Sequence, residues 1–208
     1  MFKGPFLEVG SKDYGSTQNL RSIFESQGEY IGLDMEPGPG VDSVVDLTGD
    51  FAEIESALGG RRFGTAFCLS VLEHCADPFA IARNITGLLR PDGHVCISAP
   101  FCWRIHPYPK DYWRFTPQGV ERLFPEIEFD MSISCAATSK ANDFQKLDRE
   151  AGRVRLSFSK HWNEGYHLRA ISAFLLRSMG RIGLLRWLAG HRCLFVPTNI
   201  LMVGRRKS

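Results

Sequence analysis

The sequence of 208 residues lacks the features of secreted and membrane-spanning proteins. It has no uncharged apolar run of roughly 18 residues, and no apolar segment follows Lys3 near its amino terminus. None of its six cysteines falls in a CxxC or CxxxC pair, a distribution that fits a reducing compartment. We therefore expect a cytoplasmic protein without a membrane span.

Acidic residues are missing from the last part of the chain. No Asp or Glu follows Glu164, whereas eight lysines and arginines do. The net charge of +2 therefore combines an acidic body, with 17 basic against 23 acidic groups, and a tail of eight positive charges. Such an asymmetry favours an anionic partner, or packing of the tail against the acidic body.

Short apolar runs alternate with helical patterns over the first hundred residues. Strands are predicted at residues 6–9, 30–34, 41–47, 65–69 and 95–98. A helix is predicted at 16–26, and another begins at Asp77-Pro78, a typical N-cap followed by a proline at the first helical position. Five alternations are typical of a doubly wound parallel sheet, in which ligands bind beyond the carboxyl ends of the strands.

The second half of the chain carries weaker patterns. Residues 126–135 alternate well enough for a sixth strand, and a last strand is predicted at 198–203, within the segment 195–205. Apolar residues recur at helical spacing over 166–188, which predicts two helices broken around Gly180 and Gly183. We expect one domain over 1–208, with a core at 1–135 and a helical insertion at 137–192 whose apolar side chains are buried as a cover.

Residues 7–100 contain a series of motifs in a fixed order. They are Leu7-Glu8-Val9-Gly10, an acid at the end of strands two and three, Val71-Leu72-Glu73-His74 after strand four, and Leu88-Leu89-Arg90-Pro91-Asp92-Gly93 before strand five. Together they resemble class I S-adenosylmethionine-dependent methyltransferases of type 11 or 12, over about half the chain. The resemblance implies a Rossmann-like α/β fold, with a seven-stranded, mostly parallel sheet and an antiparallel last strand. It also implies that the core at 1–135 binds S-adenosylmethionine as cofactor.

The resemblance implies a set of cofactor contacts, and several have a chemical reason. Gly10 lets the backbone approach the cofactor where a Cβ would clash, and Glu8 can hold its cationic amino-acid portion. Asp34 can accept two hydrogen bonds from a ribose diol. Asp46 can accept from the adenine amino group, while the amide of Leu47 meets a ring nitrogen. The expected set also includes Ser11, Met35, Leu69 and Ser70.

One part of the family pattern is missing. The glycine-rich GxGxG loop is replaced by the run Gly10-Ser11-Lys12-Asp13-Tyr14-Gly15, in which Lys12 stands near an expected glycine. This change leaves open a non-catalytic partner subunit that keeps the fold but binds cofactor weakly. The loop also argues against NAD, because GxGxxG is absent and a pyrophosphate needs close approach of the backbone.

A dense group of aromatic and titratable residues follows the fifth strand, at the edge where we expect ligands. Residues 103–115 resemble runs in methyltransferase-like proteins found near polysaccharide and glycan biosynthesis genes. For a hydroxyl or amine acceptor, methyl transfer needs proximity, orientation and a base. We predict His106 as that base, His74 as the next candidate, and Asp111 as a further catalytic residue. Alternatively the aromatic residues cap the sheet, as we expect for Trp113 and Phe115.

The pair Glu73-His74 also resembles part of the metal-binding Glu-x-x-Glu-His of ubiquinone-type O-methyltransferases and of small-RNA 2′-O-methyltransferases. Ser70 replaces the first glutamate, so the predicted site contains no metal. Two interpretations of the pair remain open. It either holds a divalent metal together with His106, or it closes the end of the fourth strand.

These patterns predict a methyltransferase that acts on an oxygen or nitrogen of a small or glycan-like acceptor. The basic tail and the aromatic loop make a nucleic-acid methyltransferase an alternative. Nucleic acid is the less favoured partner, because neither Asn-Pro-Pro-Tyr nor Asp-Pro-Pro-Tyr follows strand four. The basic, apolar segment 166–191 suits a peripheral membrane contact or a homodimer contact as well as packing within the chain.

Overall fold

A computed structural model describes residues 1–15, 19–106, 110–138, 144–147, 153–155, 157–184, 193–195 and 198–208. The helices of these residues are α1 (Arg21–Phe24), α2 (Phe51–Ala57), α3 (Pro78–Leu88), α4 (Pro117–Leu123), α5 (Phe158–Asn163) and α6 (His167–Arg181), with 3-10 turns at Glu25–Gln27 and Leu72–His74. The strands are β1 (Phe6–Val9), β2 (Tyr30–Asp34), β3 (Ser43–Val44), β4 (Phe63–Leu69), β5 (Leu89–Cys102), β6 (Ile127–Phe129), β7 (Cys135–Thr138), β8 (Phe144–Lys146), β9 (Arg153–Arg155), β10 (Cys193–Phe195) and β11 (Thr198–Arg206).

One mixed sheet organises the described residues. Its strand order is β3-β2-β1-β4-β5-β11-β7-β8, and β6 pairs with β11 beside that path. The strands from β3 to β5 are parallel, whereas β11 runs antiparallel to β5. The predicted Rossmann-like, mostly parallel sheet with an antiparallel last strand is therefore confirmed.

The sheet of the described residues has nine strands rather than the predicted seven. The segment 126–135 forms no single strand: a turn at Asp130 separates β6 from β7, because the Asp130 carboxylate accepts from the Ser132 amide at 2.8 Å. The strand β8 lies in a polar stretch that has no clear hydrophobic pattern.

The core lies on both faces of the central strands. Their apolar side chains are fully buried, which is typical of parallel strands covered on both sides. On one face α3 contributes Ile81, Ile85 and Leu88 to the larger cluster. Its start is as predicted, since the Asp77 carboxylate accepts from the Ala80 amide at 3.0 Å. On the other face Phe6 packs with Tyr30, Phe67 and neighbouring aromatic rings.

Two predicted elements are shorter than expected. The third strand, predicted at 41–47, is reduced to β3, and the eight residues between β2 and β3 form no helix. This connection contains Pro37 and Pro39, and its end is fixed because the Asp42 amide donates to the Gly32 carbonyl at 2.9 Å. The expected helix–strand alternation therefore fails at this point. The helix predicted at 16–26 is reduced to α1 and a 3-10 turn, and residues 16–18 lie outside the described part.

The insertion before β11 is built around a two-stranded ribbon and a helical hairpin. The strands β9 and β10 pair antiparallel, with Arg153 opposite Phe195, and α5 and α6 lie between them in sequence. The break predicted at Gly180 and Gly183 agrees with the end of α6 at Arg181, while the second predicted helix falls largely on 185–188, outside the described residues. Among the described residues, no helix has both the length and the apolar character needed to cross a membrane.

The large apolar side chains of α6 are not buried within the described part of the chain. Its buried positions are the small residues Ala170, Ala173 and Gly180. The large side chains face outward, among them Leu168 at 82% exposure and Phe174 at 58%, so packing within the chain, one of the alternatives for this segment, is not observed.

Candidate active site

The predicted site residues gather at one edge of the sheet. Because β2, β1, β4 and β5 are parallel neighbours, their carboxyl ends lie side by side. Glu8 and Gly10 lie at the end of β1, Asp34 ends β2, and Ser70 follows β4. The sheet order thus brings together positions as far apart in sequence as Glu8 and Ser70.

The exit of β1 is tightly packed at Gly10. This residue has a φ of 72°, a left-handed conformation that favours glycine. A Cβ here would lie 2.5 Å from the Cγ2 atom of Val71, in the turn after β4. The amides of Gly10 and Ser11 both donate to the Leu33 carbonyl, at 2.8 and 2.9 Å. The loop after β1 is therefore fixed to both neighbouring strand ends.

A polar cavity of about 330 Å³ opens beside this loop; it is lined by Glu8, Ser11, Asp13, Asn19, Arg21, Gly40, Val41 and Asp42. The Glu8 carboxylate accepts from the Tyr30 hydroxyl at 2.6 Å, and burial raises the pKa of Glu8 above its ordinary value. Arg21 stacks over the Tyr30 ring and pairs with Asp42. The hydroxyl of Ser11 is buried and has no hydrogen-bond partner among the described residues. The cavity thus offers carboxylates, a guanidinium and a buried hydroxyl to a small polar ligand.

Asp34, the predicted ribose ligand, lies on the neighbouring strand and holds a loop. Its Oδ2 atom accepts from the Lys12 amide at 3.3 Å, and its Oδ1 atom accepts from the Glu36 amide at 3.0 Å. The Lys12 ammonium pairs with Glu36 at 2.7 Å. Lys12, at the position of an expected glycine, therefore directs its side chain away from β1 and towards Glu36. Met35 is largely exposed at this edge.

The predicted adenine contacts lie in the segment that follows β3. The Asp46 carboxylate accepts from the amide and the hydroxyl of Thr48, at 2.8 and 2.7 Å. Leu47 is buried, and its carbonyl accepts from the Asn84 side chain at 2.8 Å. The sequence analysis missed Asn84 because it lies within the apolar pattern of α3. Its structural role becomes visible only from the burial of its polar side chain.

The end of β4 leads directly to the predicted catalytic residues. Leu69 is the last residue of β4 and is half-buried. Ser70 has a φ of 56°, and its amide donates to the Ser98 carbonyl at 2.9 Å. The chain then turns through the 3-10 segment Leu72–His74, which places Glu73 in the interior and His74 towards the loop after β5.

The loop after β5 is fastened to this turn by backbone and side-chain hydrogen bonds. The Tyr112 amide donates to the Glu73 carbonyl at 2.7 Å, and the Trp113 indole donates to the Cys75 carbonyl at 2.7 Å. Phe115 is buried in the core as expected, whereas Trp113 is 40% exposed. Tyr108 lies outside the described residues.

Asp111 anchors the loop from within. Its oxygens accept from the two terminal nitrogens of Arg114 at 2.5 and 2.7 Å. It also accepts from the His106 amide at 2.9 Å and lies 3.2 Å from the His106 Nδ1 atom. The Arg114 guanidinium holds the pKa of Asp111 well below its usual range. Asp111 therefore contacts the predicted base, and the sequence analysis missed Arg114, its main partner.

Glu73, His74 and His106 form the densest titratable group at this edge. One ligand atom from each lies within 4.8 Å of the others, and the two imidazole rings are 5.1 Å apart. Glu73 is only 1% exposed, and burial raises its pKa to about 7. Its Oε2 atom has no partner among the described residues, and the Nδ1 atom of His74 lies 2.5 Å from the Lys110 carbonyl.

This group fits two kinds of chemistry. An imidazole beside a carboxylate can accept a proton near neutral pH. One carboxylate and two imidazoles also form a typical donor set for a divalent cation. Each imidazole is oriented by an oxygen outside the group: the Lys110 carbonyl for His74 and the Asp111 carboxylate for His106. The unpartnered Oε2 atom of Glu73 is the feature that a bound cation would explain. The structure thus brings together Glu73, His74 and His106, the three residues that would hold a divalent metal.

Comparison with known proteins places these features in context. No family model matches the chain. It is similar to the ubiquinone biosynthesis O-methyltransferases of Actinobacillus pleuropneumoniae serotype 5b (strain L20), with 32% identity over 63 residues, and of Proteus mirabilis (strain HI4320), with 29% identity over 107 residues. These matches span 30% and 47% of this chain, and 27% and 42% of the two relatives. The chain thus matches less than half the length of either curated relative.

Solved structures resemble nearly the whole chain. A SAM-dependent methyltransferase from Archaeoglobus fulgidus has a TM-score of 0.53 at 13% identity, covering 97% of this chain and 85% of that one. N-methyltransferase NodS from Bradyrhizobium japonicum WM9, in complex with S-adenosylhomocysteine, has a TM-score of 0.52 at 8% identity and covers 98% and 78%. The [4+2]-cyclase SpnF has a TM-score of 0.52 at 12% identity and covers 97% and 74%. At such identities the likeness concerns the fold alone, and this fold hosts more than one reaction.

Proposed function

We propose that this chain, which has the fold of class I S-adenosylmethionine-dependent methyltransferases, transfers a methyl group to an oxygen or nitrogen of a small acceptor. One observation carries the proposal. A polar cavity bounded by Glu8, Ser11 and Arg21 and the group of Glu73, His74 and His106 lie along the same edge of the sheet. An electrophile bound in the cavity would lie near groups that can activate a nucleophile.

The cavity fits the amino-acid portion of S-adenosylmethionine. That portion carries an ammonium and a carboxylate, which match Glu8 and Arg21 respectively. The buried Ser11 hydroxyl lacks a partner that a bound ligand would supply. Asp34, Met35, Asp46 and Leu47 would hold the nucleoside portion further along the edge. When bound, the cofactor supplies a methyl group on a sulfonium, which is open to in-line attack.

The acceptor would lie against the loop after β5. His106 removes the proton from the acceptor hydroxyl or amine, and the neighbouring Asp111 carboxylate orients the imidazole and stabilises its charged form. Asp111 is thus a positioning residue for His106. His74 and Glu73 hold the opposite side of the group, where they would bind a divalent cation if one is used.

The character of the acceptor follows from the side chains that border this group. Tyr112 and Trp113 are 48% and 40% exposed, so their rings are open to stacking with a flat or sugar ring. The names of the relatives, a ubiquinone biosynthesis O-methyltransferase and an N-methyltransferase, agree with a small acceptor at oxygen or nitrogen. A glycan-like acceptor is the narrower form of this proposal.

Isothermal titration calorimetry with S-adenosylhomocysteine and with methylthioadenosine, which lacks the amino-acid portion, tests the cofactor assignment. We expect Arg21→Gln to weaken S-adenosylhomocysteine by about tenfold and to leave methylthioadenosine unchanged, because only the former has a carboxylate. Arg83→Gln, in an exposed position of α3, is the matched control. If neither compound binds, the methyltransferase proposal is rejected and a non-catalytic subunit is favoured. Salt-dependent RNA or DNA binding would favour the nucleic-acid alternative.

A further inference from the structure

The two imidazoles of the titratable group are held in the same tautomer. The Nδ1 atom of His74 lies 2.5 Å from the Lys110 carbonyl. The Nδ1 atom of His106 lies 3.2 Å from both the Arg104 carbonyl and the Asp111 carboxylate. Because such oxygens only accept hydrogen bonds, each Nδ1 atom carries the proton. The lone pair of each neutral ring is therefore on its Nε2 atom, the arrangement that is typical of metal-binding histidines.

The carboxyl group of Glu73 is the third donor. It is buried, and its Oε2 atom has no hydrogen-bond partner among the described residues. The Arg114 guanidinium interacts with Glu73 electrostatically, but both of its terminal nitrogens are bonded to Asp111, so its charge is already matched. A buried carboxylate oxygen without a partner is costly, and a bound cation would remove that cost.

The distances within the group allow a cation to bind after small side-chain movements. The three ligand atoms lie within 4.8 Å of one another. Ligands bonded at about 2.1 Å in a tetrahedron lie about 3.4 Å apart, so these atoms have to approach one another by at most about 1.4 Å. Both imidazoles are half-buried, which leaves them room to rotate about their side-chain bonds, whereas Glu73 is fixed in the interior.

The composition of the donor set selects among cations. Magnesium and calcium prefer sites made of oxygen ligands, whereas imidazole nitrogens suit zinc and its first-row neighbours. Two imidazoles and one carboxylate are the protein ligands of a typical open zinc site, which leaves a fourth position for water or substrate. We propose that Glu73, His74 and His106 bind a transition-metal dication of the Zn²⁺ type in preference to Mg²⁺, with one position open to an acceptor oxygen.

This inference deepens the proposed methyl transfer, and the use of the cation in catalysis rests on that function. When bound, such a cation polarises an acceptor oxygen, an activation that His106 provides as a base in the metal-free chain. The two uses of His106 exclude each other, because its one lone pair is on Nε2. Cation binding itself can be measured without methyl transfer. Zinc binding by a chain that does not bind S-adenosylhomocysteine would reject the proposed function and retain the cation site.

Calorimetry of the full chain, without a histidine tag and after treatment with EDTA, tests the cation site. We expect one Zn²⁺ per chain, bound at least about a hundredfold more tightly than Mg²⁺. The double variant His74→Gln/His106→Gln should weaken Zn²⁺ by at least about a hundredfold. Its control is His161→Gln/His167→Gln, which removes two imidazoles elsewhere and should leave the affinity unchanged. Co²⁺ should give visible absorption bands with the original chain and the control, but not with the first double variant.

The hydrogen bond outside the donor set gives a second test. Asp111→Asn should weaken Zn²⁺ about tenfold, because the carboxylate that orients His106 is lost. Asp92→Asn, which removes a surface carboxylate paired with Arg205, should leave the affinity unchanged. Circular dichroism of each variant establishes that the fold is retained, so that lost binding reports on the site. Absence of Zn²⁺ binding, equal affinity for Mg²⁺, or Zn²⁺ binding retained in His74→Gln/His106→Gln would each overturn the proposal.

Discussion

Glu73 gives the sharpest test of the site, because its environment couples protonation to folding. Its side chain is 1% exposed and has an oxygen without a partner among the described residues. Burial raises its pKa from an ordinary value of 4.5 to about 7, so the folded chain holds the proton more tightly than the unfolded chain does. The contribution of Glu73 to stability is therefore fully present below about pH 4.5 and is lost as the pH rises through 7.

The size of the effect follows from the shift. Raising the pKa from 4.5 to about 7 stabilises the folded chain by about 3 kcal/mol in total. Most of this stabilisation is lost between pH 5 and pH 8; the rest is already absent at pH 5, where the unfolded carboxyl is largely ionised. The variant Glu73→Gln keeps the shape of the protonated acid but cannot ionise, so it should lack this loss.

Urea denaturation of both proteins at pH 5 and pH 8, in EDTA, measures the effect. The free energy of unfolding of Glu73→Gln relative to the original chain should rise by about 2 to 3 kcal/mol between the two pH values. Taking this difference cancels the contributions of titrating groups that do not interact with Glu73. Parallel pH profiles would refute the reasoning, since they would mean that Glu73 is solvated or paired. A divalent cation that flattens the profile of the original chain alone would place that cation on Glu73.

The cofactor edge and the base give three further outcomes. Asp34→Ala should weaken S-adenosylhomocysteine about ten- to a hundredfold in calorimetry, and unaltered affinity would contradict the ribose assignment. Gly10→Val should abolish binding and lower the melting temperature, because it collides with Val71; Gly15→Val, at a similar φ but with no atom within 4 Å, separates collision from backbone strain. His106→Ala should lower turnover about 10² to 10⁴-fold in a labelled-methyl assay without weakening S-adenosylhomocysteine, and unchanged turnover would exclude it as the base.

The parallel core was predictable because its signals are local. The apolar runs of β1, β2 and β4 and the Asp77-Pro78 start of α3 each act within a few residues. The connection between β2 and β3 also has a local signal, because it contains prolines and glycines, which disfavour a helix. The prediction of five strand–helix alternations nevertheless counted a helix at this point. Which face of α6 meets the chain was not predictable, because hydrophobic spacing gives the position of a stripe and not what covers it.

Some residues of the candidate site could likewise be predicted from the sequence, and others could not. The strand-end residues Glu8, Gly10 and Asp34 were predicted from the resemblance to class I methyltransferases, and the parallel pairing of β1 with β2 places them at one edge of the sheet. The meeting of His74 with His106 depends on the Lys110 carbonyl, a contact across 36 residues that no local pattern encodes. Arg21 was missed because an arginine in a short polar helix is ordinarily a solvated side chain.

The ribbon of β9 and β10 has an architectural consequence. Because Arg153 pairs with Phe195, the two ends of the segment that carries α5 and α6 lie next to each other. An excursion whose ends are joined in this way can be lengthened, shortened or exchanged while the strands on either side keep their positions. A two-residue Asn-Gly turn between β9 and β10 would be the minimal replacement. The residues at the carboxyl edge of the main sheet lie outside this segment, so its length can change without altering them.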